Sequence, residues 1–477
     1  MKSTLPILSF LAAKASAEFV NAVYYDQWHA SNLPGKNVTS AFNQFIIAFT
    51  DPSLLMTDPP GNYTPFISVD DIKKQFGNNN TKGDGPGPRT LPDLYTLVHY
   101  ANRPSLLEAT ANETGRALFA KNIASLVTDT GADGVDIDWE YPCGNGIDYK
   151  QVPNSEKTGE IETFPLTLEA IRSAIGTDKD LSIAVPGLTR DMICYTNTTV
   201  PRLASTVDYF HIMTYDLMNR RDNVTKHHSD VQGSSDAVDA YLAMGLPASK
   251  AVLGFAFYAK WFTTDPNSDC STNPIGCATV AMEDANGNDL GTSGALTFEP
   301  ANMDPQPIPT NASTSTDGTC GAAVTLMCPE TYCCSSGGYC GSTNDYCGTG
   351  CQFGWGNCTG IDITSSWQRA QAGSVSDTVR GGEYFWDSTV NIFWTWDTPT
   401  FITEKFSKIV ADKGLGGVMS WSLGEDTYDN SHILAIRDGA TSLSTTADYN
   451  ATQLITSRNL RKHKGRKGGE LKRHSNL

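Results

Sequence analysis

Residues 133–142 read Asp133-Gly-Val-Asp136-Ile-Asp138-Trp-Glu140-Tyr-Pro142, and this stretch decides the fold. Val135, Ile137 and Trp139 alternate with Asp136, Asp138 and Glu140, the period-two pattern of a β-strand. One face is apolar and suits packing under helices. The other carries three acids, spaced about 7 Å apart at successive same-face positions. A half-exposed polar face would explain the alternation, but not an acid at every same-face position beside Trp139. A calcium site fits poorly, because a straight strand cannot wrap its ligands around one ion. Inside a barrel an unpaired charge is costly, so the three acids must share protons and hydrogen bonds. Such crowding raises the pKa of some members, as a general acid working near neutrality requires. Pro142 marks the carboxyl end of the strand, where barrel enzymes carry their chemistry.

Outward from this ladder, short apolar runs alternate with amphipathic stretches. Val20 to Tyr25, Phe45 to Phe49, Leu181 to Val185, Tyr209 to Met213, Val252 to Phe257 and Gly417 to Ser422 read as buried parallel strands. Leu118, Phe119, Ile123, Leu126 and Val127 form a helical stripe closed by Gly131; Ile161 to Ala174 and Ala237 to Met244 are further helices. Phe401, Ile402, Phe406, Ile409 and Val410 make another stripe, closed by Gly414. Repeated strand–helix units over this length predict an α/β fold, a (β/α)8 barrel. A doubly wound open sheet is the alternative, but no Gly-x-Gly-x-x-Gly turn follows the first strand.

The alternation breaks between Trp261 and Tyr384, a region rich in Asn, Ser, Thr, Gly, Pro and Cys that lacks helical periodicity. It reads as an insertion between the seventh and eighth strands, over residues 263–382, leaving 18–262 and 383–440 as the barrel. Eight of the 12 cysteines lie between Cys320 and Cys358, spaced C-x7-C-x4-CC-x5-C-x6-C-x3-C-x6-C. So short a segment needs a disulfide framework, because it cannot bury enough apolar surface alone. A zinc knuckle is the rival, but the segment has no histidine, and eight cysteines allow 105 pairings. Cys143 and Cys194 follow the fourth and fifth strands on one rim and are predicted to pair, as are Cys270 and Cys277.

The chain of 477 residues has a formal net charge of −17. From Arg458 onward there are eight Lys/Arg against Glu470, which leaves a body of 27 basic and 51 acidic side chains, net −24. An acidic body argues against nucleic acid as partner and suits a neutral polymer. The tail, 441–477, lacks apolar periodicity and reads as disordered. Residues 1–17 have a basic start, an apolar core from Leu5 to Ala13 and the small-x-small end Ala15-Ser16-Ala17, the pattern of a cleaved secretory signal. No later stretch approaches the roughly 20 apolar residues of a membrane span. Nine Asn-x-Ser/Thr sites (Asn37, Asn62, Asn79, Asn112, Asn197, Asn223, Asn311, Asn357, Asn450) fit an exported, extracellular or wall-associated monomer.

Asp133-x-x-Asp136-x-Asp138-x-Glu140 on a fourth strand resembles the signature of glycoside hydrolase family 18, the chitinases and related N-acetylglucosaminidases. Met213-Thr-Tyr215-Asp216 resembles the family's sixth strand, and Gly417-Val-Met-Ser-Trp421-Ser its eighth, whose tryptophan floors the sugar pocket. Tyr24-Tyr25-Asp26-Gln27-Trp28 resembles the first. The likeness extends over most of Phe19 to Asp438 and is nearest to fungal members. It implies hydrolysis of chitin by a retaining, substrate-assisted route. Glu140 would be the acid and then the base, Asp138 would orient the substrate's acetamide, Asp136 would share a proton with Asp138, and Tyr215 would hydrogen-bond the acetamide oxygen. Met213, Asp216, Trp421 and Tyr24 would line the pocket, and neither metal nor organic cofactor is required. Asp133, of opposite strand parity, would be structural.

Residues 319–358 resemble a hevein-like chitin-binding module. That likeness implies pairings Cys320–Cys334, Cys328–Cys340, Cys333–Cys347 and Cys351–Cys358, with Ser335, Tyr339 and Tyr346 as sugar contacts. Gly337 stands where the first aromatic residue of that face is expected.

One stretch departs from the family, whose third strand ends in a Ser-x-Gly-Gly-like turn. Lys82-Gly-Asp-Gly-Pro-Gly-Pro-Arg89 and Thr90 to Glu108 contain no such turn. If the stretch is genuine, Leu94 to Val98 should supply the third strand. If it is a frame or splice error, a loop and a gapped barrel should stand there, and the abrupt change on both sides slightly favours this second outcome. The altered strand opens a second reading, a chitin-binding lectin without activity. A third is an endo-acting enzyme on N-linked glycans.

Overall fold

The computed structural model describes residues 19–443 apart from 31, 41, 77–92, 101–110, 305–307 and 427–428, with 93–100 described by backbone alone. The expected signal segment, residues 444–477 of the expected tail, Asn79, Asn450 and the Lys82–Arg89 run lie outside these residues, while residues 441–443, expected to be disordered, continue a helix.

Seven parallel strands run in chain order around a barrel: β1 (Val20–Asp26), β2 (Gln44–Thr50), β3 (Asp93–Tyr100), β4 (Gly134–Trp139), β5 (Asp180–Pro186), β6 (Tyr209–Met213) and β7 (Ala251–Ala256). The strand Gly417–Trp421 closes it, pairing with β7 on one side and β1 on the other. The gapped-barrel expectation is corrected here. β3 occupies the third position, in register with β2 (Gln44↔Asp93) and β4 (Tyr95↔Gly134). The physical reason is that a missing third strand would leave β2 and β4 with unpaired edges.

Strand parity explains the continuous apolar runs. Ala22, Ile46, Ala48, Val252 and Met419 form one small cluster, the barrel interior. Their neighbours Val23, Phe45, Ile47, Val135, Ile137 and Ile183 belong to the larger cluster beneath the helices. Trp139 packs edge-on to Phe164 of the helix Glu160–Ile175, with ring centroids 5.6 Å apart. Before β4, the helix Glu113–Thr130 starts at Asn112, whose side chain accepts from Gly115 N. It stops at Gly131, where φ of +70° suits glycine, and its buried Phe119, Ile123 and Leu126 fix the approach of β4.

After β7 the chain builds a second sheet. It contains β8 (Tyr258–Thr263) and β9 (Ser293–Thr297). Four two-residue strands follow in the cysteine-rich segment, β10 (Ser313–Thr314), β11 (Leu326–Met327), β12 (Cys333–Cys334) and β13 (Cys340–Gly341). Then come β14 (Val375–Asp377), β15 (Gly382–Asp387) and β16 (Ile392–Trp396), and Gly417–Trp421 is β17. The antiparallel order is β14-β15-β16-β8-β9, so one sheet holds residues on both sides of the expected limits 263 and 382. The expectation of no helix in this region is corrected by Ile363–Ala372. Asp362 caps it, and its Trp367 packs on Trp394 and Trp396 at 5.0 Å each. Its apolar stripe, Ile363, Trp367 and Ala370, is too short to stand out among polar neighbours.

Six disulfides are present. Cys143–Cys194 and Cys270–Cys277 have Cα separations of 5.3 and 5.5 Å. The cysteine-rich segment holds Cys320–Cys334, Cys328–Cys340, Cys333–Cys347 and Cys351–Cys358. Asn37, Asn62, Asn112, Asn197, Asn223, Asn311 and Asn357 are exposed. Among the described residues no helix is long and apolar enough to cross a membrane.

Candidate active site

The acids of β4 stand in the barrel interior at successive depths. Asp136 is the deepest and fully buried. Tyr24 Oη donates to its carboxylate at 3.1 Å, and Ser182 Oγ donates to its other oxygen. His211 Nδ1 lies 2.8 Å from Tyr24 Oη and 3.5 Å from Asp136. Burial lowers the His211 pKa against the pull of Asp136, so the ring is neutral. Tyr24 has a single proton; given to Asp136, it leaves the phenol oxygen to accept from His211 Nδ1–H. Burial, then the Asp136 charge, push the Tyr24 phenol well above its usual range, so that proton stays.

Asp138 is next along the strand, and Glu140 is the first residue beyond it. Two pockets meet at Glu140. The first, about 250 Å³, is lined by Tyr24, Asp138, Met213, Tyr215, Asp216 and Trp421. Phe49, Tyr141, Ala184 and Tyr258 complete it. The second, about 300 Å³, shares Glu140, Tyr141, Tyr215 and Asp216 with the first. It extends over Tyr149, Asp191, Arg220 and Arg221 from the loops after β4, β5 and β6. Glu140 is thus positioned to exchange a proton with a bond lying across the two.

The first pocket has an aromatic wall. Trp421 is 5.5 Å from Tyr24 and stacks on Phe49 at 5.4 Å. Burial first, then Asp138 and Glu140, raise the Tyr215 phenol well above its usual range, which keeps it a donor. Asp216 has φ of +51°, rare for a residue with a side chain and characteristic of functional sites. It accepts from Tyr258 Oη at 2.9 Å and lies 3.2 Å from Lys260 Nζ. Burial opposes its ionisation, but Lys260 and His228 outweigh that and hold the carboxyl below its usual range.

Asp136, Asp138, Glu140, Tyr215, Met213, Asp216, Trp421 and Tyr24, all expected from the sequence, are brought together by the fold. Ser182, His211, Phe49, Tyr258 and Lys260 join them without being expected. Ser182 and His211 share the inward parity of Ala184 and Met213, so the alternation rule applied to β5 and β6 would have found them. Tyr258 and Lys260 start the insertion's first strand and carry no such signal.

Ser335, Tyr339 and Tyr346 lie in the cysteine-rich segment and line neither pocket. Tyr339 is 59% exposed, and its backbone N–H donates to Ser335 Oγ at 3.2 Å. Asp26, His29 and Glu425 bring potential ligand atoms within 4.8 Å of one another. Asp26 is already engaged by His29, by the backbone N–H of Trp28 and by Ser422, so this group is better described as a hydrogen-bond network.

A closed eight-stranded barrel with an acid ladder opening into a two-part cleft places the chain among the (β/α)8 barrels. Residues 90–426 match Glycosyl hydrolases family 18, and the chain belongs to that family. Endochitinase 1 of Metarhizium robertsii is 25% identical over 284 residues, 53% of this chain and 63% of that protein. Chitinase 1 of Aphanocladium album is 25% identical over 290 residues, 55% of this chain and 66% of its own length. The chain therefore spans a little under two thirds of these relatives. A chitinase from Rhizomucor miehei has a similar fold, with a TM-score of 0.58, 19% identity and coverage of 88% of this chain and 99% of that one.

Proposed function

We propose that the protein is a secreted chitinase that cleaves β-1,4-linked N-acetylglucosamine polymers with retention. The observation carrying this is Glu140 at the junction of two pockets, with Asp138, Tyr215 and Trp421 in one of them. In this reading the first pocket holds the sugar whose bond breaks, on the Trp421 floor. Glu140 protonates the glycosidic oxygen, and the sugar's own acetamide oxygen attacks the anomeric carbon to give an oxazolinium ion. Asp138 orients the acetamide and balances its positive nitrogen, Asp136 shares a proton with Asp138, and Tyr215 donates to the acetamide oxygen. Glu140 then takes a proton from water as it opens the ring, and two inversions amount to retention.

The cysteine-rich module, with Ser335, Tyr339 and Tyr346, would hold the polymer. Its presence favours chitin over N-linked glycans, and the complete ladder favours an enzyme over a lectin. The test is turnover of short chitin oligosaccharides, with the product anomer read by proton NMR. Release of the β-anomer first supports the mechanism. Release of the α-anomer, or binding without turnover, would replace it with inversion or with the lectin reading.

A further inference from the structure

The second pocket is walled by barrel loops, yet a residue of the insertion holds that wall in place. Glu283 lies between the Cys270–Cys277 disulfide and β9, and its side chain is 8% exposed. Tyr149 Oη donates to it, Lys150 Nζ is 2.8 Å from its Oε1, and Arg220 Nε is 3.5 Å from its Oε2. Tyr149 follows β4 and Arg220 follows β6, and both line the second pocket. One buried carboxylate therefore joins two separate loops of the cleft. Removing this acid would leave the Tyr149 hydroxyl without its acceptor and Arg220 without its ion pair, while Lys150 would keep Asp284 O.

The surroundings make the tie rigid. Glu283 bridges to Asp289, forming a hairpin whose turn is fixed by Asp284 accepting from Asn286 N at 2.7 Å and Asn288 N at 2.9 Å. Lys150 Nζ also donates to Asp284 O at 2.6 Å. Arg221 lies over the Tyr149 ring at 5.5 Å while paired with Asp191. Just beyond the hairpin, Gly291 O accepts from Thr349 Oγ1 of the cysteine-rich module at 2.6 Å. Simple docking of the insertion would need no buried charge shared between two pocket-lining loops.

We propose that Glu283 is a positioning residue for the leaving-group half of the cleft, setting affinity for the sugars beyond the scissile bond. It touches no reacting atom, and its role rests on the chitinase reading above. Glu283→Gln keeps the shape and removes the charge; Lys150→Met removes an ion pair of the same carboxylate from a partner that lines neither pocket. Both are compared with wild type on chitohexaose, whose sugars enter the second pocket, and on an aryl chitobioside, which offers it only a flat ring. Hexamer affinity is also measured by calorimetry, in the Glu140→Gln background.

For both variants kcat/KM on the hexamer should fall at least tenfold, mainly through KM, and the hexamer Kd should rise in parallel. The aryl substrate should stay within about twofold in kcat. Equal losses on both substrates, or an unchanged hexamer KM and Kd, overturn the proposal. If wild type hydrolyses neither substrate but Glu283→Gln still weakens hexamer binding, the chitinase reading fails and the positioning role stands.

Discussion

The phenol of Tyr24 on β1 donates to the carboxylate of Asp136 on β4 at 3.1 Å, across the barrel interior. The first strand thereby holds the carboxylate at the bottom of the acid ladder, with His211 behind it. Hydrogen bonds to charged groups contribute about 1.5–3 kcal/mol. Tyr24→Phe should therefore lower kcat roughly 10- to 100-fold with KM little changed, since about 1.4 kcal/mol is tenfold in rate. Steady-state kinetics on a chitin oligomer checks this. An unchanged kcat would mean that Asp136 does not depend on Tyr24.

Glu425 gives the protein an unusual pH dependence. Burial, opposed by His29, raises its pKa from 4.5 to about 8. The folded chain thus keeps a proton that the unfolded chain releases, so stability should fall as pH rises from about 4.5 to 8. His29 acts in the same direction. Burial opposes its proton, but Asp26 and Glu425 raise its pKa, and the stability it adds below its unfolded value is lost as pH rises through the folded one. Melting temperatures across this range should show a decline that Glu425→Gln flattens. Parallel curves for the two proteins would contradict it.

The two disulfides outside the cysteine-rich segment close loops of different length, 51 and seven residues. Chain entropy alone assigns roughly 4 kcal/mol to the longer and about 2.5 to the shorter. Replacing Cys143 and Cys194 by alanine should depress the melting temperature more than replacing Cys270 and Cys277. The reverse order would show that native contacts, not loop closure, dominate.

Gly337 leaves an open place on the exposed side of the cysteine-rich module. A Cβ there would have Ser335 Oγ at 3.8 Å and Tyr339 Cδ2 at 3.9 Å as its nearest neighbours. Gly337→Tyr should add a stacking face and tighten binding to insoluble chitin three- to tenfold, taking about 0.5–1.5 kcal/mol for an aromatic contact. A depletion assay reads this directly. No gain would argue that Ser335, Tyr339 and Tyr346 do not form a sugar-binding face.

Much of the barrel was legible because its strands obey a simple rule. Where both faces are buried the run is apolar throughout, and where one face carries chemistry the acids fall on alternate positions, as in Asp136, Asp138 and Glu140. β3 was harder, because Asp93–Tyr100 follows a Gly/Pro-rich run and lacks the expected Ser-x-Gly-Gly-like turn, although the family match already begins at residue 90 and closure of the barrel demands a strand there. Tyr258 in the pocket and Lys260 beside Asp216 were invisible for a different reason. They depend on where the insertion's sheet sits over the barrel, a tertiary relation that no local pattern records. Glu283 and its partners are likewise joined only in three dimensions, 134 residues apart in the case of Tyr149.

The central claim is that Glu140 is the group that gives and takes the proton. Glu140→Gln keeps its size and removes only that capacity. The most direct measurement is the turnover of chitin oligosaccharides by wild type and variant side by side, with oligomer binding and melting temperature measured on both. The account predicts turnover at least a thousandfold lower, roughly 4 kcal/mol of barrier, with binding and folding retained. Residual activity within about tenfold of wild type, roughly 1.4 kcal/mol, would contradict it.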